Sequence, residues 1–437
     1  MTSFFRRLWA AAPITFWMVL AALAIRLAVV PFVYDEWTQP YFIGHWEQGN
    51  VARALLAGHG FGSSLPSSQP SAIMTPVFPL IVAGIFAVFG IHTTASILAT
   101  LSLNCLFSAL ACIPVFGMTR RSFGSRSALW AGWAWAFSPY GIYFSAEWAW
   151  STHLLLLCLC WLLYLSQDLE RSPRLLLWAG FGVLGGFAGL TEPVILPIAG
   201  FLIAIACWQR FRLAERWLLP GLIACLAMLA TLTPWTVRNA MVFHKFIPMR
   251  NGLGMEMLIG NSGNSKHWVN CDYCPMHSER ELAEYNNVGE VAFMQHKMQQ
   301  AMSIIHANPK WYATMCFRRA LYSWTGYWSF DKDYLAGESM DPYNIPVATF
   351  LSLMAFVGLY LAWRRKPFEA LRYGGVLLLY PLLYYFVNPG AYRMRPIDPV
   401  IALLGCFAIV TLKERERVSE SIEPQLIPEE EEELVTA

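Results

Sequence analysis

Pro76-Val-Phe-Pro-Leu-Ile-Val-Ala-Gly-Ile-Phe-Ala-Val-Phe-Gly90 decides how this chain is threaded. A bilayer-spanning helix needs about 20 mostly apolar residues, since roughly 30 Å of hydrocarbon is crossed at about 1.5 Å per residue. The stretch has only 15 and opens on Pro76 and Pro79. Around it lie ten longer apolar runs, at 13–33, 92–117, 127–145, 149–166, 174–190, 193–208, 216–234, 345–363, 371–387 and 397–413. If Pro76–Gly90 crosses the membrane, the basic clusters before and after it fall on opposite faces. If it lies along the surface or re-enters, all of them fall on one.

The charges choose the second arrangement. Short basic clusters recur at Arg6–Arg7, Arg120–Arg121–Arg126, Arg171–Arg174, Arg210–Arg212–Arg216, Arg364–Arg365–Lys366–Arg372 and Lys413–Arg415–Arg417, and they hold 17 of the 31 Lys and Arg residues. Loops retained on the cytoplasmic side are enriched in Lys and Arg. Ten spans with both termini inside place all six clusters together. The short loops of the other face then keep only Arg53, Arg393 and Arg395. The 13–33 run is long, is interrupted by Arg26 and lacks a small-residue cleavage site, so it reads as a retained helix rather than a signal peptide.

Composition fits this class and excludes others. Of 437 residues, 56% are hydrophobic, 15% aromatic and only 14% charged. A water-facing globular protein carries about 25% charged residues. A purely soluble enzyme and a largely disordered chain are both excluded. A net charge of +2 carries no signal for nucleic acid.

The expected architecture is all-α and polytopic. A transmembrane module, 1–234, holds a large first outer loop, 34–91, with juxtamembrane helices. A small outer domain, 235–344, contains a polar-amphipathic helix from Glu279 to His306, ended by Asn308-Pro309. Further spans occupy 345–413, and an acidic, disordered cytoplasmic tail occupies 414–437. Most cysteines lie in apolar runs and serve as small hydrophobes. Cys271 and Cys274, on the outer side, form either a local disulfide or half of a metal site whose other ligands are not evident.

Ionisable groups at the membrane edge are costly and mark function by default. On the outer side they are Asp35, Glu36, His45, Glu47, Arg53 and His59 in the first loop, with Glu147, His153, Glu192, Arg238, Arg393 and Arg395 at the ends of later spans. Asp35-Glu36 reads either as a solvated helix end or as part of a site. Glu47 heads a short helix over Val51, Ala54 and Leu55, terminated by Gly58 and Gly60. A carboxylate there favours the helix dipole and is also placed to act as a base.

These elements resemble the C-type membrane glycosyltransferases, and more narrowly the bacterial relatives of the protein O-mannosyltransferases and lipid A aminoarabinose transferases (glycosyltransferase family 39-like). The resemblance rests on four features, in order along about 13–413. They are the acidic residue before a helix ending Gly58-His-Gly-Phe61 with the Pro76–Gly90 helix after it, Thr233-Pro-Trp-Thr-Val-Arg-Asn239, Phe246-Ile-Pro-Met-Arg250 with Gly260-Asn261, and Tyr392-Arg-Met-Arg395-Pro-Ile-Asp-Pro399.

The resemblance implies transfer of a sugar from a polyprenyl-phosphate donor to a lipid, glycan or protein acceptor, at the periplasmic face of a bacterial inner membrane. It implies an acidic base in the first loop: Glu47 by position at the helix head, or Asp35 with Glu36, since relatives carry an Asp–Glu pair there. Arg238, Arg393, Arg395 and Arg26 are the expected phosphate ligands, Arg26 pairing with a carboxylate or the phosphate itself. Glu147, Glu192, His59 and Asn239 are expected around the cavity. Asp35-Glu36 could help hold a divalent ion, but two carboxylates do not assign one. A transporter or lipid flippase is the rival class, and its inverted repeats with midplane charges are not seen in the sequence.

Overall fold

The computed structural model describes residues 2–34, 38–39, 44–62, 65, 67, 69–262, 271–330, 332, 341–387 and 391–422, without the side chains of 2–12, 271, 341, 391 and 415–422. Within them the regular structure is helical, with one isolated bridge between Gly62 and Pro70. A lipid-embedded chain must satisfy its backbone groups within each segment, and helices do so locally.

The first half of the chain runs α1 (Thr2–Val33), α2 (Glu47–Leu56), α3 (Val77–Phe89), α4 (Thr94–Leu110), α5 (Cys112–Phe123), α6 (Ser125–Ala136), α7 (Pro139–Glu147), α8 (Thr152–Leu169) and α9 (Leu175–Thr191). The second half runs α10 (Leu196–Arg212), α11 (Leu218–Phe243), α12 (Leu253–Asn261), α13 (Glu279–Val288), α14 (Glu290–Ala307), α15 (Pro309–Thr325), α16 (Asp341–Arg365), α17 (Pro367–Phe386) and α18 (Asp398–Ile422). Among the described residues, seven stretches have the length and apolarity to cross a bilayer: Pro13–Val33, Thr94–Phe123, Thr152–Leu169, Pro193–Arg212, Leu218–Phe243, Pro342–Arg365 and Tyr392–Glu414. The chain is an all-α polytopic membrane protein.

The other three expected spans are modified. The 174–190 run becomes α9, 17 residues long, and the 371–387 run becomes α17, which carries Glu369 and Arg372 in its opening turns. The 127–145 run is not one helix. It breaks at Phe137-Ser138, where the Ser138 side chain accepts from Gly141 N and Pro139 opens α7. A Ser cap followed by Pro at the first helical position starts a new helix rather than continuing an old one.

Arg26 fills that break. Its guanidinium is fully buried and donates to Ala136 O at 2.7 Å, Trp135 O at 3.1 Å, Ala22 O at 3.0 Å and Ser108 Oγ at 3.0 Å. The last carbonyls of a helix lack intrahelical donors and carry partial negative charge. The expectation that Arg26 pairs with a carboxylate or phosphate is therefore corrected: it caps α6 inside the bundle.

α8 is the axis of the bundle, with 14 of its 18 residues buried. Packing between apolar helices in lipid gains little from removing water and rests on close contact and on polar groups at the helix ends. α3 covers Val77–Phe89 of the expected Pro76–Gly90 helix. Its 13 residues rise about 20 Å, too little to span, and Phe78, Val82 and Phe86 are its buried side.

Three boundaries differ from expectation. α11 runs on to Phe243, so the limit at 234 falls inside a helix. The helix expected from Glu279 to His306 is two, because Gly289 adopts φ +80°, which ends α13 and starts α14. α18 continues to Ile422, past the expected tail limit at 414, while 423–437 lie outside the described residues.

Candidate active site

Glu47 is the first residue of α2, and the chain before it fixes its place. Trp46, 1% exposed, donates from Nε1 to Ala149 O at 2.9 Å, which pins the head of α2 to the turn before α8. Gln48 Nε2 reaches Ser151 Oγ at 3.3 Å in the same turn. Asn104 Nδ2 donates to Trp148 O and Trp150 O from the other side. The turn 148–151 is thus held by α2 and α4 together. Glu47 then faces a cleft of about 530 Å³ lined also by Met74, Trp150, Ser151, Thr152, Leu155, Glu192, Arg250, Glu256, Tyr380, Tyr384, Tyr392, Arg393 and Pro396.

Two carboxylate–arginine pairs sit in this cleft. Glu192 Oε2 meets Arg250 Nη1 at 2.9 Å, and its Oε1 accepts from Ser151 Oγ at 3.0 Å. Arg250 Nε also donates to Ile73 O at 2.6 Å. Glu256 takes Arg393 in a two-pronged pair, Oε1 to Nη2 at 3.0 Å and Oε2 to Nη1 at 3.3 Å. Arg393 Nε adds a bond to Tyr392 Oη at 3.1 Å. Glu256 comes from α12, whose Gly254 lies against α14 so closely that a Cβ would sit 2.0 Å from Met294 O.

Glu47 stands apart from both pairs. Among the described residues, none hydrogen-bonds its carboxylate. Burial pushes its pKa up to about 7; Arg250 and Arg393 pull it down, Glu256 and Glu192 push it further up. Burial acts against the charge on Arg250, but Glu192, Glu256 and Glu47 outweigh it and hold that guanidinium above its ordinary value. Three carboxylates face two guanidiniums, and among the described residues Glu47 is the one of the three that makes no ion pair or hydrogen bond with either. It can accept a proton near neutral pH, and the arginines can receive an anion.

Of the residues expected from sequence, Glu47, Glu192 and Arg393 come together here. Asp35 and Glu36 lie outside the described residues. Arg238 is elsewhere: it donates to Ser71 O at 2.8 Å, Phe61 O at 2.8 Å and Asn239 Oδ1 at 3.0 Å, among the rings of Phe61, Trp235 and Phe243. Asn239 is buried and donates to Ile247 O and Met249 O, folding the chain back after α11. Arg395 pairs with Asp398 at 3.3 Å and lies over the Tyr140 and Phe144 rings. Glu147 accepts from Tyr143 Oη at 2.6 Å, and His59 is exposed beyond α2. None of these lines the cleft.

Arg250 and Glu256 were missed as site residues. Glu256 gave one signal, a single acid inside the apolar run Leu253–Asn261. Among the described residues, no three His, Cys, Asp or Glu side chains gather as a metal site. The Cys271 side chain is outside them too, so its pairing with Cys274 is left as an expectation.

Residues 69–235 match the family described as dolichyl-phosphate-mannose-protein mannosyltransferase. The match covers part of the first half of the chain, from the strip before α3 into α11, and agrees there with the resemblance to the C-type membrane glycosyltransferases. No curated protein gives a match. Among solved structures, the chain is similar to the oligosaccharyltransferase AglB of Archaeoglobus fulgidus, in complex with an inhibitory peptide and a dolichol-phosphate. The identity is 11% and the TM-score 0.48, over 97% of this chain and 53% of that one. It is also similar to ArnT of Cupriavidus metallidurans bound to undecaprenyl phosphate, with 14% identity and TM-score 0.38 over 95% of this chain and 82% of that one. The chain spans about half the length of the archaeal enzyme.

Proposed function

We propose that this protein is a C-type membrane glycosyltransferase that moves a sugar from a polyprenyl-phosphate-linked donor to an acceptor hydroxyl at the outer face of the membrane. The transfer inverts the anomeric centre and uses Glu47 as general base. The acceptor O–H loses its proton to Glu47 as its oxygen bonds to the anomeric carbon. The bond from that carbon to the phosphate oxygen breaks with its electron pair, and polyprenyl phosphate leaves. Arg250 and Arg393 receive the phosphate charge. Arginine suits this because its planar fork makes paired, charge-assisted bonds to phosphate, and donors aimed at developing charge lower the barrier.

One observation carries the reading: the Glu47 carboxylate has no hydrogen-bond partner among the described residues, in a cleft that holds two arginines. A base is most effective when its pKa lies near the working pH, and such catalysis contributes typically ~10²–10⁴-fold. The charge pattern supports this choice of membrane face. The cleft is at the start of α8, and the Arg171–Arg174 cluster lies just beyond its other end. Activated sugar outside the cytoplasm must arrive on a lipid carrier, which supports a polyprenyl-phosphate donor. Bacterial inner-membrane location rests on the family resemblance.

The test is Glu47→Gln in purified protein, with transfer followed from the lipid-linked sugars of the native membrane. We expect transfer to fall by about 10²–10⁴-fold while binding of sugar-free polyprenyl phosphate stays within a few-fold of the parent. Undiminished transfer removes Glu47 as the base. Failure of the parent protein to bind polyprenyl phosphate overturns the donor class.

A further inference from the structure

Residues 71–73 lead into the cleft residue Met74 without belonging to a helix, so their backbone groups need partners from elsewhere. Ala72 N donates to Glu290 Oε1 at 2.9 Å. Ala72 O accepts from Asn251 N at 3.0 Å. Ile73 O accepts from Arg250 Nε at 2.6 Å, and Ile73 N donates to Ser71 Oγ at 3.1 Å. Ala72–Ile73 and Arg250–Asn251 thus form a short ladder, and the Arg250 guanidinium emerges from its end into the cleft.

Glu290 anchors that ladder. It is the first residue of α14 and 3% exposed. Besides Ala72 N, its carboxylate accepts from Asn251 Nδ2 at 3.3 Å, from Tyr285 Oη at 3.1 Å and from the Ser71 hydroxyl. Four neutral donors converge on it, from both strips of the ladder and from α13. None of these four is a cation; the charge that acts on Glu290 is that of Arg238, which donates to Ser71 O in the same strip. Glu290 fixes the positions of groups on both sides of Arg250.

We infer that Glu290 is a positioning residue: it ties α14 to the 71–73 strip and thereby holds Arg250 where it can take the donor phosphate. This rests on the proposed role of Arg250, and the test separates the two. Binding of sugar-free polyprenyl phosphate is measured for the parent, Glu290→Ala, Glu290→Gln, Arg250→Ala and the Glu290→Ala/Arg250→Ala double variant. Glutamine can turn its oxygen to Ala72 N and its amide to Tyr285 Oη, so it rebuilds the anchor without charge.

The expected result is about tenfold weaker binding for Glu290→Ala, restoration by Glu290→Gln, and little further loss when Glu290→Ala is added to Arg250→Ala. A global structural role would instead add its full effect in the Arg250→Ala background, and that outcome overturns the inference. If the parent itself fails to bind the lipid phosphate, the functional reading falls instead. Should Glu290→Ala not fold, Asn251→Ala removes one of the four donors and is read in the same cycle. Additive losses there also overturn it.

Discussion

The two ends of α8 carry the same residue types and do different things with them. At its C-terminal end Glu170 and Glu369 are both bonded to Arg372, which is fully buried. Glu369 also accepts from Ser122 Oγ at 2.7 Å, and Gln167 Nε2 donates to Ser122 Oγ at 2.8 Å. Arg121 meets Asp168 at 3.1 Å and lies 3.8 Å from the Tyr164 ring centroid. At the N-terminal end Glu192 and Glu256 have their arginines, yet a cleft opens between the pairs and Glu47 is left over. Buried charge alone therefore does not distinguish a site from a staple. The surplus carboxylate and the space beside it do.

That contrast can be broken first at the staple. Arg372→Ala leaves two carboxylates facing each other inside the bundle, and stranding a buried partner costs about 3–5 kcal/mol. We expect the variant to accumulate poorly and to unfold at a clearly lower temperature in detergent. A near-parental melting point would show that this end, too, is open enough to be rehydrated.

At the cleft the same kind of change should cost binding rather than folding. Arg393→Ala leaves Glu256 beside open space, and we expect about 10–100-fold weaker polyprenyl-phosphate binding, roughly 1.4–2.7 kcal/mol. The melting point should move little. Equal losses of stability for Arg372→Ala and Arg393→Ala would erase the distinction between the two ends.

The rate should report Glu47 directly. With its pKa at about 7, kcat/KM should fall tenfold per pH unit below about 7. A flat profile from pH 5 to 8 would exclude a carboxylate base tuned in this way.

The smallest effect is on stability. The folded-state pKa of Glu47 is raised, so its proton stabilises the fold below about 4.5, and this is lost as pH rises through about 7. Glu47→Gln should melt like the parent at pH 4 and become the more stable by about 1–2 kcal/mol at pH 8, allowing for solvent in the cleft. The opposite trend would mean that Glu47 has a cationic partner after all.

Much of this was legible before any coordinates. Glu47, Glu192 and Arg393 sit next to helix ends, where position along the chain also fixes depth in the membrane. Arg250 and Glu256 lie in the long segment after α11, whose return to the bundle leaves no periodic trace. Arg238 and Arg26 show why an arginine is ambiguous: five donors serve backbone carbonyls as well as they serve phosphate. The interruption of the 127–145 run was readable in Ser138-Pro139, but a count of apolar residues passes over it. Gly289 hid in the same way inside an otherwise continuous amphipathic pattern.

The ladder that ends in Arg250 also sets an order of assembly. Ala72 finds its carboxylate 218 residues downstream, and Glu256 meets its arginine 137 residues further along. A ribosome that has made α2 has already produced Glu47, yet neither arginine of the cleft has been synthesised. A chain stalled before Arg393 holds a carboxylate and no complete place for a phosphate. Such contacts between distant positions are slow to form, so the cleft is completed only once Arg393, just before α18, has been made.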